Sequence, residues 1–123
     1  MPNPLSKRVD VSAYTKKLLE RGSLYVVLSD NGDPAGIMGF YANDQETKSA
    51  FLSILSLLPE FHRMGTGRKL MEILVSECKK AGMNEIFLKV SRENSDAIAY
   101  YEAMGFRTTS SNSVKLVMTM GLQ

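Results

Sequence analysis

A glycine-containing turn that leads into a cationic helix is the feature of this sequence best suited to chemistry. Gly65 and Gly67 stand between the end of a predicted strand and the start of a predicted helix. Glycines let backbone amides turn toward an anion without interference from Cβ atoms, and the unpaired amides of a helix start add a positive field. Arg63, Arg68 and Lys69 add cations at this end, where acidic residues are normally favoured. The turn therefore predicts a phosphate-binding site; the alternative is an ordinary strand-to-helix turn with solvated cations.

Two common phosphate-binding motifs do not fit this turn. A dinucleotide-binding turn has a third glycine where this chain has Leu70. A nucleotide-hydrolysing P-loop needs Gly-Lys followed by Ser or Thr, whereas Gly67 is followed by Arg68, Lys69 and Leu70. The diphosphate of coenzyme A remains as the candidate ligand.

Length and composition predict one globular domain over residues 1–123, with a modest hydrophobic core. The formal charge of +2 argues against a general nucleic-acid binder. The single cysteine, Cys78, falls in helical register with apolar residues, so it is expected to be buried in a reducing compartment. No apolar run reaches the roughly 18 residues that span a bilayer, and the N-terminal sequence does not resemble a signal peptide. We therefore expect a cytoplasmic protein without a membrane partner.

Hydrophobic periodicity and turn residues predict an α/β protein with a mixed sheet. The predicted order is a helix over 10–21, a hairpin of strands 24–28 and 37–41, a strand over 51–58, a helix over 66–81, a strand over 86–90, a short helix ending at 104, and two strands over 106–109 and 114–119. Because a whole helix separates strands 51–58 and 86–90, the second is predicted to be parallel to the first or remote from it. The ligand is expected beside the turn over 59–67, where the sheet changes character.

Two motifs, in the correct order, resemble the GNAT superfamily of N-acetyltransferases. The run His62-Arg63-Met64-Gly65-Thr66-Gly67, after Leu58-Pro59-Glu60, is similar to the superfamily's acyl-CoA motif of Gln or Arg, two residues, Gly, any residue, and Gly or Ala. Residues 94–106 resemble its signature of Asn, two residues, Ala-Ile, two residues, Tyr-Glu, two residues and Gly-Phe. The resemblance covers roughly residues 10–120. It implies a central mixed β-sheet flanked by helices, with acetyl-CoA as cofactor and no metal.

The sequence departs from the superfamily pattern in two places. His62 stands where the motif begins with Gln or Arg, and the neighbouring Arg63 can replace that side chain near the phosphates. The superfamily commonly opens with a strand ahead of its first helices, and few residues precede Asp10. The N-terminal strand can therefore be missing, with the acceptor side abbreviated or completed by a second subunit in a homodimer.

The resemblance also implies which residues bind the cofactor. The strand over 51–58 corresponds to one that is splayed by a bulge in GNAT enzymes and whose free backbone groups hold pantetheine and polarise the acetyl carbonyl. Asn94 or Ser95 can cap the short helix, and for Asn94 a helix cap and a cofactor contact are equally open and compatible roles. The full predicted set is Leu57, Leu58, His62, Arg63, Met64, Gly65, Thr66, Gly67, Arg68, Lys69, Asn94 and Tyr101.

Tyr101 matches the tyrosine that often donates a proton to the leaving sulfur in this superfamily. A phenol suits that role because its pKa of about 10 exceeds that of a thiol near 8.5. The alternative is a core tyrosine on the face shared with Ala97 and Met104. We assign Tyr101 as the general acid.

The general base cannot be read from the pattern. Glu60, Asp44 and Glu46 are the carboxylates expected nearest the acceptor, and His62 can titrate near neutrality. Glu60 is our choice among them, and relay through water is the alternative.

The predicted function is transfer of an acetyl group from acetyl-CoA to a primary amine of a small molecule or protein, by direct attack in a ternary complex. The alternative is a non-catalytic acyl-CoA sensor or assembly module.

Overall fold

The computed structural model describes residues 9–18, 22–29, 31–62 and 65–122, which form a seven-stranded mixed sheet and two α-helices. The elements are β1 (Val9–Leu18), β2 (Gly22–Ser29), β3 (Pro34–Tyr41), β4 (Ser49–Leu57), a 3₁₀ turn (Pro59–Phe61), α1 (Thr66–Lys80), β5 (Glu85–Ser91), α2 (Ser95–Met104), β6 (Arg107–Ser111) and β7 (Lys115–Gly121). The sheet order is β1-β2-β3-β4-β5-β7-β6. β4 and β5 are parallel and the other neighbours are antiparallel. The predicted α/β mixed sheet is confirmed.

Residues 9–18 form the strand β1, so the helix predicted over 10–21 is wrong. The segment contains Val9, Val11 and Tyr14, and β-branched and aromatic side chains lose χ1 freedom in a helix and favour strands. β1 pairs with β2 from Val9 opposite Ser29 to Leu18 opposite Gly22, which satisfies the backbone groups that a helix would otherwise have paired internally. Residues 19–21 lie outside the described residues. The described part of the chain therefore begins with a strand, although the sequence analysis allowed for the absence of an N-terminal strand.

Both helices pack on the same face of the sheet. The connections β4-α1-β5 and β5-α2-β6 step in one direction across the sheet, and right-handed crossovers then place their helices on one side. α1 buries Leu70, Leu74 and Cys78 in the same apolar cluster as Ile86, Leu88 and Met118 of the sheet. The prediction that Cys78 is buried is thus confirmed. Burial raises the pKa of the Cys78 thiol to about 12, so this thiol stays protonated and unreactive.

β4 and β5 pair only at their beginning. Ser49–Phe51 align with Glu85–Phe87, after which β5 continues along β7 and β4 continues along β3. On β4 the register against β3 jumps from Leu52 opposite Phe40 to Ile54 opposite Gly39, so Ser53 is an extra, bulged residue. A bulge bends its strand, and here it lies at the point where β4 leaves β5. We call the resulting gap between residues 52–57 and 88–91 the cleft.

The packing of α1 on the sheet can be tested at Leu74, whose side chain is fully buried. Leu74→Ala should lower the free energy of unfolding by about 2–5 kcal/mol, because it removes buried methyl groups and leaves a cavity. Urea unfolding followed by circular dichroism measures the change. Glu72→Ala, at an exposed position on the same helix, is the control and should stay within about 0.5 kcal/mol. Equal effects of the two substitutions would contradict the placement of the helix.

Candidate functional site

The backbone of β4 presents unpaired groups to the cleft. The Leu58 N–H donates to the Ala35 carbonyl at 2.9 Å, so these two residues form a hydrogen-bonded pair of the β3-β4 ladder. Such pairs alternate along an antiparallel ladder with pairs whose backbone groups point outward. Leu57 and Leu55, opposite Gly36 and Met38, therefore direct their N–H and C=O groups away from β3 and into the cleft. The Leu57 carbonyl accepts a hydrogen bond from His62, so the Leu57 N–H and both backbone groups of Leu55 are the main-chain groups that can meet a ligand.

Leu58 does not supply such a group. Its N–H is engaged by Ala35, and its carbonyl accepts a hydrogen bond from the Phe61 N–H at 2.9 Å in the 3₁₀ turn. The prediction that Leu58 offers free backbone groups to the cofactor is therefore wrong, because its N–H and its carbonyl are both hydrogen-bonded within the fold. The geometry favours Leu55 in place of Leu58, together with Leu57. This pair follows from the register of β3 against β4, which depends on the bulge at Ser53.

His62 contacts the same segment of β4. Its Nε2 lies 2.8 Å from the Leu57 carbonyl, so Nε2–H donates to that oxygen and Nδ1 carries no proton in the neutral ring. The side chain that departs from the superfamily motif thus reaches back to the strand end. The imidazole is exposed, and its contact stabilises the chain between the cleft and the glycine turn.

The glycine turn leaves the start of α1 without a side-chain cap. Gly65 is the N-cap residue with φ +79°, a left-handed conformation that favours glycine. The first hydrogen bond inside the helix is donated by the Lys69 N–H to the Gly65 carbonyl at 3.0 Å, so the amides of the first turn have no partner in the helix. The first turn of the helix contains no acidic residue. Arg63 and Met64 lie outside the described residues, and their predicted contacts stay predictions.

Thr66 adds an unsatisfied hydroxyl at this turn. Its side chain is 1% exposed, and its Oγ1 has no hydrogen-bond partner within the part of the chain that the structure describes. A buried hydroxyl without a partner is costly and usually indicates a missing ligand or water. The Thr66 hydroxyl therefore adds a second argument for a ligand at the start of α1, independent of the unpaired backbone amides.

Tyr100 also lies at the start of α1, and the sequence analysis missed it. A Cβ atom at Gly67 would collide with the Tyr100 hydroxyl, so the glycine allows α2 to approach α1 closely. Burial raises the pKa of Tyr100, and the positive charge of Arg68 offsets part of that rise. The only signal in the sequence was a second tyrosine next to Tyr101, and sequence alone does not show that it faces α1.

Tyr101 packs into the core beside this tyrosine. Its ring lies edge-on to Phe106, with centroids 5.7 Å apart, and to Tyr100 at 5.5 Å. Burial, and then the neighbouring Tyr100, raise the pKa of Tyr101, so its phenol stays protonated at neutral pH. That is the form a proton donor needs.

Asn94 caps α2, because its Oδ1 accepts a hydrogen bond from the Ala97 N–H at 3.1 Å, and the predicted cap is confirmed.

Asp44 and Glu46 lie at the opposite end of β4 from the glycine turn, and their expected place near the acceptor stays a prediction. Their loop contacts the end of α1 through Gln45, whose Nε2 donates to the Ala81 carbonyl at 3.2 Å. The length of β4, about 25–30 Å for a strand of nine residues, separates them from the turn. The Thr47 N–H, donated to the Asp44 carboxylate at 3.1 Å, helps to lower the pKa of that group. Glu60 is exposed on the 3₁₀ turn that follows the cleft strand.

Comparison with known proteins decides the family. The model of the GNAT acetyltransferase family matches residues 3–106. The chain belongs to the GNAT acetyltransferase family. It is 35% identical over 79 residues to [Ribosomal protein bS18]-alanine N-acetyltransferase of Escherichia coli (strain K12), covering 64% of this chain and 51% of that protein.

A second relative is N-alpha-acetyltransferase 50 of Danio rerio, which is 28% identical over 95 residues, covering 76% of this chain and 56% of that protein. The chain spans about half the length of the curated relatives it matches. A paia N-acetyltransferase of Thermoplasma acidophilum, solved in complex with coenzyme A, superposes with a TM-score of 0.74 at 23% identity, covering 82% of this chain and 61% of that chain. This likeness shows the fold. Within the described residues, neither helix of this family member has the length and apolarity needed to cross a membrane.

The contact of His62 with the strand end can be tested without a ligand. His62→Ala should speed hydrogen exchange of the Leu58 amide by about threefold to tenfold, because a lost hydrogen bond of about 0.5–1.5 kcal/mol makes opening of the strand end easier. Exchange followed by NMR measures this. His62→Gln is the matched control, since a carboxamide can still donate to the Leu57 carbonyl. Unchanged exchange in the alanine variant would show that the contact does not hold the strand.

Proposed function

We propose that this GNAT-family chain transfers an acetyl group from acetyl-CoA to a primary amine by direct attack in a ternary complex. The observation that carries the proposal is the cleft between β4 and β5, which opens beside an uncapped, cation-flanked helix start. The free backbone groups of Leu55 and Leu57 lie along the cleft, and the glycine turn lies at its end. Family membership and the names of the relatives support the same activity.

The two parts of the site suit the two parts of acetyl-CoA. The diphosphate would meet the first amides of α1 and the cations Arg68 and Lys69, since a helix start favours anions. The pantetheine arm carries amides, and one of their carbonyls can accept a hydrogen bond from the Leu57 N–H, whose own carbonyl is occupied by His62. Acetyl-CoA supplies the activated thioester. Predicted contacts of Arg63 and Met64 with the phosphates complete this proposal.

The chain's own groups assist the transfer in three ways. The Leu55 N–H, which is farther from the glycine turn than that of Leu57, would hold and polarise an acetyl oxygen, and a preorganised donor favours the charge that develops there. The Tyr101 phenol is placed to protonate the leaving sulfur. Glu60 follows the cleft strand directly on the 3₁₀ turn, and we assign its carboxylate to remove the amine proton, either directly or through water.

We propose a peptide or protein amino group as the acceptor. The relatives are named for acetylation of a ribosomal protein alanine and of N-alpha amines. Ile54 and Leu58, which are 43% and 45% exposed, lie along and just beyond the cleft strand, and apolar side chains of this kind suit contact with a peptide. The sequence also allows a small-molecule amine as the acceptor, and the amine panel described below includes such amines.

A non-catalytic acyl-CoA sensor is the second candidate. On β4 beyond its pairing with β5, the polar side chains are Ser53 and Ser56, so no carboxylate on that strand can take the amine proton. Such a protein would bind acetyl-CoA and release no thiol with any acceptor.

The role of Tyr101 gives a direct test of the catalytic proposal. Tyr101→Phe should lower kcat by about a hundredfold, because the leaving sulfur loses its proton donor, while the Kd for acetyl-CoA stays nearly unchanged. Thiol release at saturating acceptor and calorimetry measure the two quantities. Tyr41→Phe, a tyrosine stacked on Phe51 away from the glycine turn, is the control. An unchanged kcat in Tyr101→Phe would remove the assignment.

The acceptor class can be tested with a panel of amines. Peptides with a free N-terminal alanine should release thiol from acetyl-CoA, and the same peptides with a blocked N-terminus should not. Release only with amino sugars, polyamines or free amino acids would instead establish a small-molecule acceptor. Calorimetric binding of acetyl-CoA without thiol release across the panel would favour the sensor.

A further inference from the structure

The Tyr100 side chain points its hydroxyl at the start of α1, although the superfamily signature allows any residue at this position. Measured from the position of a Cβ built on Gly67, the Tyr100 hydroxyl is nearer than the ring carbons, which lie at 3.3 Å for Cζ and 3.6 Å for Cε1. The polar tip of the side chain, rather than the ring face, therefore meets the first turn of α1. Because consecutive helix residues point about 100° apart, Tyr101 cannot occupy the same place.

The groups that surround this hydroxyl at the start of α1 are hydrogen-bond donors. A tyrosine hydroxyl has one proton to donate, but the start of a helix offers only N–H donors, and Arg68 is also a donor. Within the described residues the structure gives the Tyr100 hydroxyl no hydrogen bond. An anion held at this turn would supply a charged acceptor within reach of the hydroxyl. The unsatisfied Oγ1 of Thr66, one residue before Gly67, points to the same need for a ligand.

We propose that the Tyr100 hydroxyl donates a hydrogen bond to the diphosphate of the acyl-CoA, so that α2 forms one wall of the phosphate site. This inference rests on the proposed function, because it takes acetyl-CoA as the ligand. Tyr100 is then a binding residue, and its neighbour Tyr101 is held on the same turn of α2. Occupation of the phosphate site would thereby fix the helix that carries the proposed proton donor.

Tyr100→Phe tests the proposal, because it keeps the ring and removes only the hydroxyl. The variant should bind acetyl-CoA about tenfold more weakly than the parent chain, as expected for a lost hydrogen bond to a charged group. Its affinity for S-acetylpantetheine, which carries no phosphate, should equal that of the parent. Calorimetry measures the first ligand and an NMR titration at millimolar concentration measures the second. Tyr41→Phe is the matched control and should change neither affinity.

Two results would overturn the inference. The first is an acetyl-CoA affinity that does not change in Tyr100→Phe. The second is an equal loss for acetyl-CoA and S-acetylpantetheine, which would show that the hydroxyl acts on the pantetheine arm or on the fold. Thermal melting of the variant, expected to match that of Tyr41→Phe, separates those two causes. A parent chain that binds no acetyl-CoA would refute the proposed function itself, whereas binding by the parent and the variant alike would refute only the role of Tyr100.

Discussion

The separation of β4 from β5 is the constraint on which the rest of the site depends. Two parallel strands that stayed paired would use their backbone groups on each other, and the sheet would have no gap. Here the pairing stops at Phe51 and Phe87, and the bulge at Ser53 bends β4 away. Each diverging strand keeps its other neighbour, so the gap opens without unpairing either strand completely. The core below remains closed because α1 packs under this region of the sheet.

The second half of the site is electrostatic and comes almost entirely from the backbone. A helix start normally acquires a side-chain cap or acidic residues, which offset its unpaired amides. α1 has neither, since its N-cap is Gly65 and its first turn is basic or neutral. α2 provides the contrast within the same chain, because Asn94 caps it and Asp96 stands in its first turn. The helix that is left unsatisfied is the one that begins at the end of the cleft strand.

The glycine turn also serves packing, which changes how its motif is understood. A glycine beside a phosphate site is usually explained by close approach of the ligand to the backbone. At Gly67 the structure adds a second requirement, since Tyr100 occupies the space that a side chain would need. A substitution there would therefore disturb both the anion site and the contact between the two helices, and its effect on ligand binding alone would be hard to separate.

The sequence by itself determined the elements whose signals are local. The glycine turn, the amphipathic α1, the Asn94 cap and the alternating β5 were all predicted from residues close to one another in the chain, and each is present. Residues 10–18 were predicted incorrectly as helix because a short mixed pattern is ambiguous, and pairing with β2 makes them a strand. Three placements are visible only in the tertiary structure. The backbone groups of Leu55 and Leu57 face the cleft, Asp44 lies at the end of β4 opposite the glycine turn, and the Tyr100 hydroxyl lies against Gly67. These placements depend on register, strand direction and helix packing, which are set by contacts between residues distant in sequence.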